Sequence, residues 1–180
     1  MTELAIADTS PQPPHVIRQL LEKLGLTYQA RHDQPGIPAA QRVQTVLLED
    51  AVGALLVLFP QNQLLDLNRL AELTGRKLTA VKPERLSRML GKHDLALLPG
   101  IPALTSSPCL YDERLLDVPS LYIQSGQAGV LLEFGTEAFK GLLTKASAAR
   151  FGEPASKVRP NFSRPEDDRQ EISQAVQAFT

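Results

Sequence analysis

The stretch VQTVLLEDAVGALLVLF, residues 43–59, decides the fold of this chain. Two apolar runs rich in valine and leucine, residues 43–49 and 54–59, flank a turn that contains Asp50 and Gly53. This pattern predicts an antiparallel β-hairpin. Because a purely parallel, doubly wound sheet contains no hairpin, the stretch favours a mixed sheet flanked by helices.

Amphipathic segments on both sides of the hairpin predict helices, several of which end at a glycine. The predicted helices cover residues 14–25, 66–75, 83–91 and 136–145, with a fifth near the end of the chain. Short strands are also predicted at residues 26–31, 77–81, 95–98, 109–112, 120–124 and 130–134. The predicted fold class is therefore α/β in the mixed α+β sense, with about seven strands surrounded by helices.

The ends of the chain differ from this pattern. Residues 1–14 are rich in proline and polar residues and predict a flexible N-terminal arm, whereas residues 15–146 carry the periodic segments of a domain. Residues 147–180 predict an extended segment followed by a C-terminal helix or linker, for which Ser163 and Glu166 form a capping box. The helical spacing of apolar residues continues to Phe179, which predicts either a helix that packs back on the domain or the start of a linker.

Composition excludes several classes of protein. The chain of 180 residues has 19 Lys+Arg against 20 Asp+Glu, and this balance argues against a wholly basic nucleic-acid binder. A single cysteine excludes an internal disulfide framework, and three distant histidines offer no metal-ligand spacing, so neither a metal nor a cofactor is expected. With no signal-like start and no apolar run long enough to cross a bilayer, a cytoplasmic protein without a membrane partner is expected.

Nucleophiles and carboxylates are present but lack the context of a known catalytic motif. Ser106, Ser107 and Cys109 are close in sequence, yet no strand–turn–helix elbow surrounds them, and a buried structural role is favoured for Cys109. For the carboxylates that follow, a loop or helix-capping role is favoured over acid/base chemistry: Asp112, Glu113 and Asp117.

One local excess of positive charge stands out against the neutral total. Between Arg76 and Lys92 there is a single acid, Glu84, among six basic residues. Arg85, Arg88 and Lys92 recur at a spacing that places them on one helix face. Such a face could contact a phosphate backbone, although an ordinary solvated helix face accounts for the same spacing.

Five short motifs occur in a fixed order: VQTVLL (43–48), LDL (65–67), LTG (73–75), LLPG (97–100) and YIQSG (122–126). In this order they resemble the YbaK/prolyl-tRNA synthetase-associated domain, over roughly residues 16–145. The resemblance implies a mixed sheet wrapped by helices. It also implies a trans-editing activity, in which the ester bond of a mischarged tRNA is hydrolysed.

Two family positions differ in this chain. The family pattern of the first strand is Ala-Lys-Thr, and its lysine is the residue most tied to activity; here Gln44 replaces it and Thr45 is retained. In the family loop Gly-x-x-x-Pro, Pro99 is retained, but the glycine position holds Leu95. Loss of one preorganised donor commonly costs about two to three decades in rate, so weakened or lost catalysis is expected.

The resemblance implies a site and two hypotheses for its use. Gln44 and Thr45 would orient the ester, and the tRNA acceptor end would meet Arg85, Arg88 and Lys92. The remaining pocket residues implied are Leu95, Leu98, Pro99, Gly100, Ser125 and Gly126. The chain is then either an aminoacyl-tRNA deacylase with an altered site or a non-catalytic module that senses a tRNA end or an aminoacyl-like small molecule. It resembles the version found ahead of a C-terminal HDOD signalling domain in bacterial proteins, which implies a sensor joined to an output.

Overall fold

The predicted hairpin forms the centre of a five-stranded sheet in the computed structural model, which describes residues 11–154. Strands β2 (Val43–Glu49) and β3 (Ala54–Pro60) pair antiparallel along their whole length. Alternate side chains of both strands enter two different clusters of buried residues, one on each face of the sheet. Burial on both faces explains why the two strands are almost continuously apolar.

Further strands extend this sheet on both sides. Strand β5 (Thr79–Ala80) pairs antiparallel with the last two residues of β2, and β6 (Cys109–Asp112) pairs parallel with β3. Strand β9 (Ser147–Ala149) pairs parallel with β6, which gives the order β5-β2-β3-β6-β9. The sheet is mixed, as the hairpin predicted.

Two smaller sheets complete the architecture. An antiparallel sheet with the order β1-β8-β7 is built from β1 (Gln29–His32), β7 (Ser120–Gln124) and β8 (Val130–Gly135). Strand β4 (Gln63–Leu65) pairs antiparallel with β10 (Gly152–Pro154). Buried residues of β7 and β8 belong to the same core cluster as one face of β2 and β3, so this sheet and the five-stranded sheet share a core.

Five α-helices lie in the described part of the chain: α1 (His15–Leu24), α2 (Leu67–Thr74), α3 (Pro83–Gly91), α4 (Pro102–Thr105) and α5 (Thr136–Leu142). The predicted ends of α1 and α2 are confirmed, because Gly25 and Gly75 adopt the left-handed conformation as C-caps. Asp66 caps α2 by accepting a hydrogen bond from the amide of Arg69 at 3.0 Å. The helix predicted from Ser163 and Glu166 lies outside the described residues.

Some predicted elements differ from the structure. Residues 95–98 are not a strand, because Asp94 is in the left-handed region and the amides of Ala96 and Leu97 both donate to the carbonyl of Gly126. Strand β1 begins at Gln29 rather than at residue 26, and α5 ends at Leu142. Strands β4, β9 and β10 and helix α4, each of three or four residues, were not predicted.

Candidate functional site

A cavity of about 850 Å³ opens along the edge of β2 that β5 leaves uncovered. Strand β5 pairs only with Leu48 and Glu49, so residues 43–47 of β2 have no strand partner from β5 on that side. The rest of the wall comes from Leu67 of α2, residues 78–82 with β5 among them, α3, residues 96–98 and the end of β7. The volume lies in the range of about 300–1,000 Å³ that is typical of small-molecule and cofactor sites.

The lining of this cavity is apolar apart from a small set of polar side chains. Leucine, valine, alanine and proline make up most of it. The polar members are Gln44, Thr45, Thr79, Lys82, Ser87 and Gln124. Lys82 is the only ionisable side chain among the described residues that line the cavity, and no carboxylate, histidine, cysteine or tyrosine joins it there.

Two polar atoms in this wall are buried without a hydrogen-bond partner in the described part of the chain. They are the hydroxyl Oγ1 of Thr45 and the amide oxygen Oε1 of Gln124. Buried polar atoms in proteins are nearly always hydrogen-bonded, because an unmet donor or acceptor keeps its desolvation cost. Both atoms are enclosed by the protein itself, and Thr45 Oγ1 lies against the buried Gly100, so a ligand in the cavity would reach them only after a local rearrangement of the wall.

Gln44 and Thr45 are adjacent on β2, so their side chains leave opposite faces of the strand. Both nevertheless line the cavity, because it opens at the strand edge and reaches both faces. Gly100 lies directly behind Thr45: a Cβ at this position would be 3.2 Å from Thr45 Oγ1 and 3.1 Å from Ile123 Cβ. The absence of a side chain at residue 100 therefore lets the backbone approach the Thr45 hydroxyl.

Of the other pocket residues that the family resemblance implied, some line the cavity and the rest are buried behind its wall. Leu98 lines the cavity together with Gln44 and Thr45, whereas Pro99 and Gly100 are buried behind the wall. Leu95 and Gly126 are also buried and lie outside the lining. The Leu95 side chain fills the space beside Gly126, since a Cβ on Gly126 would be 2.6 Å from Leu95 Cδ2.

The contact between Leu95 and Gly126 positions the rim of the cavity that residues 96–98 form. The amides of Ala96 and Leu97 donate to the carbonyl of Gly126 at 2.8 and 3.1 Å, so the rim is tied to the turn after β7. Ser125, which is fully buried, accepts a hydrogen bond from the Gln127 amide at 3.2 Å and holds the same turn. Leu95, Ser125 and Gly126 thus shape the cavity from behind, and their side chains do not line it.

The basic face of α3 is not part of the cavity. Pro83, Leu86, Ser87 and Leu90 line it, and at 3.6 residues per turn these four positions share one side of the helix. The same geometry places Arg85, Arg88 and Lys92 on the opposite side, where all three are exposed. Arg85 is also paired with Glu49, with 2.5 Å between Nη2 and Oε1. The structure therefore separates the predicted tRNA-binding residues from the predicted ester site.

The nucleophile and carboxylate candidates elsewhere have structural roles. Cys109 is buried, and burial raises the pKa of its thiol to about 12, so the reactive thiolate is scarce near neutral pH. Asp112 is fully buried and caps the turn that follows β6 by accepting from the Arg114 amide at 3.0 Å. Its other oxygen accepts from the amides of Phe151 and Gly152 at 3.2 and 3.0 Å. The structural roles favoured from the sequence agree with this geometry.

Sequence reasoning missed four polar residues of the cavity: Thr79, Lys82, Ser87 and Gln124. Gln124 belongs to the YIQSG motif, but only the two residues after it were selected as pocket residues. Lys82 belongs to the basic stretch before residue 92 and directly precedes the proline that begins α3. The missed signal was the apolar face of α3: a helix that turns Leu86 and Leu90 toward a site turns its arginines away from it.

No set of side chains in residues 11–154 could hold a metal ion, and none of the helices described there could span a membrane.

Comparisons with known proteins agree with this architecture. The family model described as aminoacyl-tRNA editing domain matches residues 22–142. The structure of a candidate signal transduction protein from Marinobacter aquaeolei VT8 is similar, with 27% identity, a TM-score of 0.77 and 94% of this chain covered. This chain spans only 37% of the length of that protein.

A second similar structure is that of a candidate trans-editing enzyme for prolyl tRNA synthetase, with 22% identity and a TM-score of 0.64. The match covers 79% of this chain and 99% of that one, and at this identity it supports the fold alone. No curated protein sequence matches the chain significantly. Because the family model covers about two thirds of the sequence, the chain belongs to the aminoacyl-tRNA editing domain family.

Proposed function

We propose that this chain is a recognition domain that binds the aminoacylated end of tRNA in the cavity beside β2 and hydrolyses its ester weakly or not at all. The observation that carries the proposal is the composition of the cavity wall. Its described lining is an apolar enclosure in which Lys82 is the one ionisable residue, and it contains no carboxylate or histidine that could act as a general base.

Ester hydrolysis makes specific demands on a site. Water adds to the carbonyl carbon, the bond from that carbon to the ribose oxygen breaks, and one proton of the water ends on the ribose oxygen while the other is lost from the new carboxyl group. A side chain that accepts a proton near neutral pH commonly contributes about 10²–10⁴-fold to such a step. Neither Gln44 nor Thr45 can do this, and Gln44 offers only an amide dipole where the family has a lysine charge.

The same features suit binding. Neither the hydroxyl of Thr45 nor the amide oxygen of Gln124 has a hydrogen-bond partner within residues 11–154, so a local rearrangement that turned either atom toward a ligand would break no hydrogen bond of that atom. An apolar wall of this size can enclose an aliphatic side chain together with part of a nucleoside. Binding without efficient turnover is what a sensor requires.

A signalling context is supported by the similar protein from Marinobacter aquaeolei VT8. Its chain is a candidate signal transduction protein, and the region like this one covers 37% of it. We place the present chain in an equivalent arrangement, as a cytoplasmic sensor joined to a C-terminal output domain of the HDOD type. The alternative function is a slow deacylase that uses groups of the substrate and a bound water.

Release of the amino acid from a panel of mischarged tRNAs separates these two functions. We expect the unmodified protein to bind the aminoacylated tRNAs while releasing amino acid within about tenfold of the spontaneous rate. Gln44→Lys restores the family charge and is expected to raise the rate, whereas the matched neutral variant Gln44→Met is not. Turnover by the unmodified protein at rates typical of an editing enzyme would contradict the recognition proposal and favour the deacylase.

A further inference from the structure

We infer that Lys82 supplies the positive charge of this site and binds the phosphate of the terminal nucleotide, in place of a lysine on β2. This assignment rests on the proposed function and adds to it a specific residue and a specific group of the ligand. Lys82 is neither a position of the family motifs nor part of the exposed face formed by Arg85, Arg88 and Lys92.

The position of Lys82 supports this role. It is the N-cap residue of α3 and lines the cavity beside Pro83, the first residue of that helix. Lys82 is thus the one charged residue of the described lining and stands where α3 begins, whereas the lining residues of β2 are neutral. The positive end of the helix dipole adds to the charge of Lys82 at this point.

The charge of Lys82 is available to a ligand, because it is not neutralised by an ion pair in the described residues. No ion pair involves Lys82 in the described part of the chain, and Glu49, the carboxylate at the end of β2, is already paired with Arg85. An unpaired lysine on a flexible stem is a common ligand for phosphate, which it binds as a point charge. A cavity with one cation and no carboxylate in its described lining selects for an anionic group on the ligand.

The ligand in this proposal offers one such group close to the ester. An aminoacyl ester on a terminal ribose has the 5′-phosphate of the same nucleotide on the other side of the sugar. With the aminoacyl group held near Thr45 and Gln124, the nucleoside extends along the wall and the phosphate meets Lys82. A cavity of about 850 Å³ has room for both parts.

Two hydrolysis-resistant probes test the assignment by isothermal titration calorimetry on the full chain. They are 3′-deoxy-3′-(alanylamino)adenosine and its 5′-monophosphate, which differ only in the phosphate. We expect the phosphate to tighten binding to the unmodified protein by about tenfold, as one charge-assisted contact would. In Lys82→Gln this advantage disappears, in Lys82→Arg it is largely kept, and Arg88→Gln is the matched control that leaves it unchanged.

Each outcome has a defined meaning. An equal advantage from the phosphate in Lys82→Gln and in the unmodified protein would overturn the role of Lys82 and leave the proposed function intact. Binding of neither probe to the unmodified protein would overturn the proposed function and this assignment with it. Circular dichroism is expected to show all variants folded, because Lys82 is exposed and its capping contact to Leu86 is made by the backbone carbonyl.

Discussion

Replacement of Thr45 by valine should make the ligand-free protein more stable. The two side chains have the same shape, and the hydroxyl that is lost is buried with no hydrogen-bond partner in the described residues. Leaving a buried polar atom unsatisfied costs about 1–3 kcal/mol, so Thr45→Val should increase the free energy of unfolding by about 1 kcal/mol. For a domain of this size that corresponds to a rise in Tm of roughly 2–4 °C.

Binding of a ligand should remove the stability advantage of the Thr45→Val variant. If the Thr45 hydroxyl binds the aminoacyl group, its loss weakens affinity by about tenfold, which is roughly 1.4 kcal/mol. At a probe concentration of about 100 Kd the unmodified protein gains roughly 2.7 kcal/mol and the variant about half of that. Thermal melts with and without 3′-deoxy-3′-(alanylamino)adenosine measure both quantities. Thr45→Ser is the control, since it keeps the hydroxyl and should show no gain in stability. A Thr45→Val protein that is less stable than the unmodified one by 1 kcal/mol would refute the reasoning, because the hydroxyl would then have a partner.

Three further predictions concern the frame of the site. Leu95→Ala removes a buried leucine and should lower the free energy of unfolding by about 3 kcal/mol, while Gly126→Ala is destabilising because its Cβ clashes with Leu95 and its φ is positive. The double variant should lose less stability in urea unfolding than the sum of the two single losses. Strictly additive losses would contradict the contact between Leu95 and Gly126. Asp112→Asn exchanges one of the two acceptor oxygens for an NH2 group, so either the amide of Arg114 or the amides of Phe151 and Gly152 lose their acceptor. The free energy of unfolding measured in urea should fall by at least about 1 kcal/mol, and a smaller loss would mean that these amides are held by other contacts. The Arg76 guanidinium lowers the pKa of Asp50 well below its usual value of 3.8, so this pair stabilises the fold above that pH and the stabilisation is lost as the pH falls through the lowered pKa. Chemical unfolding at a series of acidic pH values should therefore show a shallower dependence for Arg76→Gln, and an unchanged slope would exclude this pair as the cause.

The sequence predicted the central part of the fold because local signals and burial agree there. Residues 43–59 alternate into two cores, and glycines with left-handed conformations end α1 and α2 where the sequence placed them. Residues 95–98 were predicted as a strand because they are apolar. Their amides instead bond to the carbonyl of Gly126, a partner about 30 residues away that no local pattern reveals.

The candidate site could be predicted only in part, on β2 and at Leu98. Gln44 and Thr45 were identified because they lie in a motif, and both line the cavity. Lys82 and Gln124 reach the same cavity from other elements, and their convergence depends on how α3 and β7 pack against the sheet. The spacing of Arg85, Arg88 and Lys92 correctly indicated a shared face, but spacing alone does not say which way a face points.

Strand β10 gives the cavity a mechanical connection to the chain that continues past residue 154. It is hydrogen-bonded to β4, and β4 leads through Asp66 directly into Leu67, which lines the cavity. If a ligand in the cavity displaces Leu67, the movement acts on a segment that is hydrogen-bonded to β10. Thermodynamic linkage makes the effect reciprocal: a restraint applied to the chain beyond β10 would change the affinity of the cavity by the same factor by which the ligand changes the restraint.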